Sequence, residues 1–220
     1  MFAKPLFRDR TEAGHILAQQ VKAVVTKSNS LVLALPRGGV PVGFEVAREL
    51  HADLDVFLAR KLGVPGREEL AMGAVAGGGV RVLNHALIKQ LGLSAELIDR
   101  VTGQERQEIE RRERLYRGGR PALAANQRTV ILVDDGLATG ATMLAATRAL
   151  RAQQPERIVV AVPVASRDAC EELREHVDEV ICVATPKFFH AVGAWYEDFS
   201  QTSDAEVRQL LERAARERAA

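Results

Sequence analysis

Apolar residues occur along this chain in two spacings, and their alternation predicts the layout of the fold. Short apolar runs without polar alternation are typical of parallel strands that are covered on both faces. Such runs lie at residues 31–35, 54–59, 130–133, 158–164 and 180–184. Helical patterns are predicted at residues 13–27, 40–50, 141–153 and 167–176. Strands that alternate with helices predict an α/β fold built on a doubly wound, mostly parallel sheet.

Polar residues at helix starts support this layout. Asp9 with Glu12 fits the start of the first helix, Ser94 fits the N-cap of a long polar helix that reaches about residue 116, and Ser203 begins a capping box. Residues 62–79 are rich in glycine and contain Pro65. We therefore expect a flexible loop there, with a short hairpin at residues 73–84 around three consecutive glycines.

We interpret residues 1–220 as one domain, a core with a small hood over it. The core is predicted at about residues 1–85 and 121–185, and the hood at the insert 86–120 and the C-terminal segment 186–220. A chain of 220 residues, 47% of them hydrophobic, can bury one α/β core. Its net charge of +1 gives no overall field that would favour nucleic acid or an anionic membrane as a partner.

Cysteine usage and the N-terminal residues bear on location. Cys170 and Cys182 show neither metal-ligand spacing nor the density of a secreted disulfide scaffold, so we expect buried thiols. The first ten residues carry charges where a signal peptide needs an apolar core, and no apolar run reaches membrane-spanning length. The sequence therefore predicts a cytoplasmic protein that does not act at a membrane.

Residues 129–142 form the strongest candidate site and read TVILVDDGLATGAT. Asp134 and Asp135 follow an apolar strand, at the end where open α/β sheets bind ligands, and can accept hydrogen bonds from vicinal hydroxyls. A helix start with small side chains and unpaired N–H groups favours a phosphate, and here it comprises Ala138, Thr139, Gly140, Ala141 and Thr142. The segment predicts a ribose 5-phosphate site, against the alternative of an ordinary polar turn between a strand and a helix.

The same segment resembles the signature of the type I phosphoribosyltransferases, in which a hydrophobic strand and two acids precede Thr-Gly-x-Thr. The whole chain is similar to a bacterial group of this family whose substrate base is unassigned. The resemblance implies transfer of a 5-phosphoribosyl group from phosphoribosyl pyrophosphate (PRPP) to a nitrogen acceptor such as a nucleobase, with release of pyrophosphate. It also implies a homodimer and Mg²⁺ as cofactor, bound through PRPP and, as candidates, by the catalytic acids Asp134 and Asp135.

Two further turns carry residues that the resemblance assigns to pyrophosphate. Arg37 with Gly38 and Gly39 resembles the family's pyrophosphate loop, which often holds a strained non-proline peptide bond, and the alternative is a plain turn. Arg60 and Lys61 precede the glycine-rich segment and look most like the adenine-type members, and their alternative is a solvated basic pair. Arg37 and Lys61 would stabilise the leaving group as catalytic residues.

Recognition of the acceptor is predicted in the hood. Ala138 stands where many 6-oxopurine enzymes carry an aspartate that exchanges a proton with the ring, so no such exchange is possible here. Candidate base contacts in the tail are Phe189, Trp195, Tyr196 and Asp198. The aromatic residues have an alternative role, a hydrophobic seam that holds the last helix on the core. The arginines of the insert alternate with glutamates, which favours a solvated helix over a nucleic-acid patch.

A second class of function stays open from the sequence. A regulator could use the same site to sense PRPP and act on nucleic acid or on a partner protein. Arg37 and Lys61 favour the enzyme, because a sensor needs no leaving-group chemistry.

Overall fold

The structure, a computed structural model, describes residues 4–25 and 29–219. Its strands are β1 (Ser30–Ala34), β2 (Asp53–Val56), β3 (Ala59–Val64), β4 (Arg67–Ala76), β5 (Arg81–Leu83), β6 (Thr129–Val133), β7 (Arg157–Val164) and β8 (Glu179–Ala184). Its α-helices are α1 (Arg10–Val24), α2 (Gly39–Leu50), α3 (His85–Leu91), α4 (Ala95–Arg117), α5 (Ala141–Arg151), α6 (Arg167–Arg174) and α7 (Asp204–Ala219).

A five-stranded parallel sheet forms the centre of the molecule, in the order β2-β1-β6-β7-β8. Successive side chains of its strands point to opposite faces. Val32 and Ile131 pack on one face with α1, α2 and α7, and Leu31 and Val130 pack on the other with α5 and α6. Because helices cover both faces, the strands are continuously apolar. The predicted doubly wound α/β fold is confirmed.

The region between β2 and α3 differs from the prediction. The single apolar run at residues 54–59 divides into β2, which ends at Val56, and β3, which begins at Ala59 in a separate antiparallel sheet of order β3-β4-β5. Arg60 and Lys61 therefore lie within a strand of the second sheet and do not end a strand of the parallel one. The expected flexible loop is largely β structure, because Leu62, Val64 and Met72 bury an apolar face. The predicted hairpin is present, with its turn at Gly77–Gly79.

Most predicted helix starts are confirmed by their caps. Asp9 accepts a hydrogen bond from the Glu12 N–H, Ser94 from the Leu97 N–H and Ser203 from the Glu206 N–H. The first helix begins at Arg10, ahead of the predicted residue 13, and ends at Val24, while residues 26–28, where we expected it to end, lie outside the described ranges. The insert forms α3 and α4, and α4 packs on β3, β4 and α7.

Candidate functional site

The turn after β6 is held open to solvent at the start of α5. The Leu137 N–H donates to the Val164 carbonyl at 2.9 Å, and the Ser166 hydroxyl donates to the Ala138 carbonyl at 2.7 Å. Gly140 has a φ of +70° and precedes α5, whose first turn has no side-chain cap. The Ala141 N–H donates to the Thr139 hydroxyl at 3.4 Å. The first backbone N–H groups of a helix have no partner within the helix, and such groups commonly bind phosphate. Ala138 and Thr139 are exposed beside them.

The two acids are half-buried beneath the neighbouring turn. Asp134 accepts a hydrogen bond from the Asp135 N–H at 2.8 Å, and Asp135 accepts one from Arg10 Nε at 2.8 Å. Burial and the adjacent Asp135 charge raise the pKa of Asp134 well above its ordinary value. Burial also raises the pKa of Asp135, although the Arg10 guanidinium opposes this effect. Arg10 is thus a partner of the site that sequence reasoning missed.

Glycine is needed at residues 38 and 39 because a side chain there would collide with neighbouring atoms, and not because of the backbone conformation. The Pro36–Arg37 peptide bond is cis, and Gly38 has a φ of −60°, which any residue can adopt. A Cβ on Gly38 would collide with the Asp135 carboxylate, and one on Gly39 would lie 2.7 Å from the Val133 carbonyl oxygen. The turn therefore packs directly on the end of β6, so the two predicted loops form one unit.

A cleft of about 560 Å³ brings together motifs that are distant in sequence. Its wall includes Pro36 of the first turn, Arg60 and Lys61 of β3, and Thr139 and Thr142 beside the start of α5. Some residues of the predicted 5-phosphate site and of the predicted pyrophosphate site thus line one cavity, whereas Arg37, Gly38, Gly39, Ala138 and Gly140 are not part of its wall. The Asp134 and Asp135 carboxylates are not part of this wall.

The basic side chains of the site have different partners. Arg60 forms an ion pair with Glu105 of α4, and Arg37 Nη1 lies 3.8 Å from the Asp204 carboxylate at the start of α7. Lys61 is exposed, and it forms no ion pair with the side chains described at residues 4–25, 29–67 and 70–218. Lys61 is the cation of this group that is free to meet an anionic ligand.

Helix α4 also lines the cleft, through Glu105, Ile109 and Arg112. The charges of this helix pair at three- and four-residue spacing, a pattern that predicts a solvated helix. The signal that could have found the wall is the spacing of these three residues, four and then three, which places them on one side of the helix.

The structure corrects the prediction that Trp195 and Tyr196 contact a base. Their exposed fractions are 7% and 4%, since both pack with Phe7 and Ala13, and the Tyr196 hydroxyl donates to the Asp135 carbonyl at 2.6 Å. Neither ring is part of the cleft wall, and their cluster contains Phe7, Ala13 and Val164 but no residue of α7, so it is not the predicted seam that holds the last helix on the core.

The other two predicted base contacts also lie outside the cleft wall. Phe189 stacks on Trp195, with ring centroids 6.4 Å apart. Asp198 is exposed and accepts a hydrogen bond from the Ser200 N–H, which lowers its pKa.

The donor set of the site fits a magnesium ion carried by a phosphorylated ligand. Within the described residues, no group of three or more His, Cys, Asp or Glu side chains could hold a metal. Mg²⁺ commonly binds through one or two carboxylates together with substrate phosphates and water. Asp134 and Asp135 provide that number of carboxylates.

Among the described helices, none has the length and apolar character needed to cross a membrane.

Comparison with known proteins identifies the class to which this fold and site belong. The family model of the phosphoribosyl transferase domain matches residues 10–198 of this chain. The chain therefore belongs to the phosphoribosyl transferase domain family, and the resemblance seen in the signature is confirmed.

Individual relatives refine this assignment. The chain is 46% identical over 212 residues to two Mycobacterium tuberculosis proteins, each named "Putative phosphoribosyl transferase"; the match covers 96% of this chain and 48% of each relative. The chain thus spans about half the length of these curated relatives. A crystal structure of a Thermus thermophilus protein is similar at 43% identity and a TM-score of 0.87, covering 94% of this chain and 98% of that one.

A more distant structure shows the same fold. It is a hypothetical protein from Neisseria gonorrhoeae with bound ppGpp, which matches 97% of this chain and 98% of its own at 12% identity and a TM-score of 0.52.

Proposed function

We propose that this protein transfers a 5-phosphoribosyl group from PRPP to a nitrogen acceptor and releases pyrophosphate. The observation that carries the proposal is the single cleft in which the start of α5 faces Lys61 and the Pro36 turn. These groups suit the two ends of one donor, a phosphate at the helix start and a pyrophosphate beside the cations. The family assignment supports the same activity.

The reaction breaks the bond between ribose carbon 1 and a pyrophosphate oxygen, and the acceptor nitrogen forms a new bond to that carbon. Negative charge develops on the departing pyrophosphate, where Lys61 and the guanidinium groups of Arg37 and Arg60 can stabilise it. Arg60 and Arg37 must exchange Glu105 and Asp204 for the ligand to do so. Asp134 and Asp135 are the residues that would hold a PRPP-bound Mg²⁺ ion, which would supply positive charge to offset that of the leaving group.

The proposal is tested by incubating the protein with PRPP, Mg²⁺ and a panel of nucleobases and small amines, and by measuring pyrophosphate. Lys61→Ala should lower turnover by roughly ten- to a thousandfold while PRPP affinity changes less, since the lysine acts most strongly as charge leaves. Lys89→Ala, an exposed lysine on α3, is the matched control and should turn over normally. Normal turnover in Lys61→Ala would show that Lys61 has been misassigned.

The regulatory alternative makes a different prediction in the same assay. A PRPP sensor would bind PRPP by calorimetry and release no pyrophosphate with any acceptor. We also propose, from the family resemblance, a cytoplasmic homodimer that does not act on nucleic acid; light scattering of the full chain measures the oligomeric state.

A further inference from the structure

One face of α4 forms a wall of the cleft beyond the donor groups. Glu105, Ile109 and Arg112 project from the same side of the helix into this wall. The helix is fixed in place, because Ile98 and Tyr116 are buried and the Tyr116 hydroxyl donates to Asp204 of α7 at 2.8 Å. The wall is therefore a built part of the site rather than a solvated surface.

Among the described residues, the Arg112 guanidinium forms a hydrogen bond only through its Nε atom. Its Nε donates to Glu108 Oε1 at 2.6 Å, and Arg111 binds the same carboxylate. These two arginines lower the pKa of Glu108 to about 2, so the carboxylate that holds Arg112 stays ionised. In the described part of the chain, no group accepts a hydrogen bond from the Nη atoms of Arg112. Two parallel N–H donors of this kind match a carboxylate.

Apolar side chains line the cleft near this guanidinium. Phe57, Leu58 and Ile109 are 6%, 6% and 2% exposed, and all three belong to the wall of the cleft. The parts of these side chains that reach the cleft form a small apolar patch that an acceptor ring can contact. The phosphates of the donor have other partners in Lys61 and the start of α5, so Arg112 remains for the second substrate.

The geometry points to an acceptor that is an aromatic or heteroaromatic ring bearing a carboxylate, with Arg112 binding the carboxylate and Phe57, Leu58 and Ile109 contacting the ring. This inference rests on the proposed function, in which the cleft holds PRPP and the acceptor together. Arg112 would be the residue that selects an acidic acceptor over its neutral counterpart.

Matched acceptor pairs test the inference through kcat/KM with PRPP and Mg²⁺. The pairs are nicotinate with nicotinamide and orotate with uracil, which differ chiefly in the carboxylate. We expect the acid to be preferred in at least one pair, and Arg112→Ala to lower kcat/KM for that acid by about ten- to a hundredfold, the loss typical of a charged hydrogen bond. The neutral member should change little. Arg111→Ala is the matched control, because Arg111 binds the same Glu108 but does not line the cleft.

Binding measured without turnover separates this inference from the proposed function. Calorimetry of nicotinate and orotate with the unloaded protein should show binding that weakens in Arg112→Ala and persists in Arg111→Ala. If this holds while no acceptor releases pyrophosphate, the transferase proposal fails and the acid site stands. Equal affinity for the acidic and neutral members would overturn the inference. Arg112→Ala weakening PRPP binding as much as acid binding would also overturn it, because Arg112 would then serve the donor.

Discussion

At the scale of single residues, the site depends on close contact between two turns that are almost one hundred residues apart. Asp135 fills the space that a side chain at residue 38 would need, and Asp134 lies against Gly39 in the same way. Arg10 then pairs with Asp135 from the first helix. The glycines of this turn therefore leave the space that the two acids occupy.

Gly140 allows the sharpest test of the phosphate site. Gly140→Val should abolish PRPP binding measured by calorimetry. The residue has a φ of +70°, and even a Cβ there would lie 3.3 Å from Ala169. A branched side chain would disturb the N–H groups that must approach the phosphate closely.

A matched control separates backbone strain from lost binding. Gly78 has a φ of +72°, with nothing within 4 Å of an added Cβ, so Gly78→Val introduces similar strain outside the cleft wall. It should lower the melting temperature and leave PRPP affinity unchanged. A folded Gly140→Val that binds PRPP with wild-type affinity would contradict the assignment.

Several residues of the site could be predicted from the sequence, and others could not. The two acids and the residues from Ala138 to Thr142 were found because they are contiguous and their chemistry depends on local backbone geometry. The pairing of Asp135 with Arg10 joins residues 125 positions apart, and no local pattern indicates it. Likewise, the sequence identified Arg37 as a cation but not its orientation toward Asp204, which depends on where α7 packs.

At the scale of elements, the parallel sheet was predictable and the second sheet was not. Each parallel strand is a continuous apolar run covered on both faces, which is a strong signal. The strands β3 to β5 are covered on one face and interrupted by glycines, so the same residues resemble a flexible loop. Alternation of buried Leu62 and Val64 with exposed Lys61 is the weaker signal that indicates a strand.

The contact between α4 and α7 gives a prediction about pH. Burial and the hydrogen bond to Asp204 raise the pKa of Tyr116 to about 12. Because the folded state favours the neutral phenol, this contribution to stability is complete below the ordinary pKa of 10.0 and is lost as pH rises through about 12. Tyr116→Phe should lower the free energy of unfolding by about 1–2 kcal/mol at pH 8.

Urea unfolding of both proteins from pH 8 to 12 would measure this effect. The difference in unfolding free energy should shrink with rising pH, because only the wild-type protein loses the contribution of the phenol. A constant difference across this range would show that the Tyr116 hydroxyl does not link the two helices.

The free cysteines Cys170 of α6 and Cys182 of β8 lie next to each other. Cys170 is buried, and its Sγ lies 2.7 Å from Sγ of the half-buried Cys182. Mild peroxide should convert the pair to one internal disulfide, with loss of two hydrogens from the protein and formation of two waters from peroxide. Closing this short loop should stabilise the fold by about 2–3 kcal/mol.

Intact-mass spectrometry and denaturant unfolding before and after peroxide check this expectation, with Cys182→Ser as the control that cannot form the bridge. Two thiols that still react with a thiol reagent after unfolding of the peroxide-treated protein would contradict it. The disulfide would also restrain α6, which contacts the candidate site: Ser166, the N-cap of α6, donates a hydrogen bond to the Ala138 carbonyl.

At the scale of the whole molecule, local arrangement rather than overall charge defines the activity. The net charge is +1, yet the cleft gathers Arg60, Lys61 and Arg112 at one place. In the proposed function the cleft holds the donor, and α4 of the insert forms part of the cleft wall, while Trp195 and Tyr196 of the tail pack with Phe7 and Ala13. Acceptor choice is therefore expected to depend on the insert more than on the tail.

The final prediction concerns purine acceptors and depends on this division. Ala138 has no group that can exchange a proton with a ring, and the α4 wall offers Arg112 to an acid instead. Hypoxanthine and guanine should therefore be poor acceptors. Ala138→Asp should not by itself make them good ones, because a carboxylate at residue 138 works only when the hood also holds the ring within hydrogen-bond reach. Measured pyrophosphate release with each purine tests both statements. Turnover of hypoxanthine or guanine by the unmodified protein with a kcat/KM above about 10⁴ M⁻¹s⁻¹, in the range of ordinary enzymes, would show that another group moves the proton and that the wall has been misread.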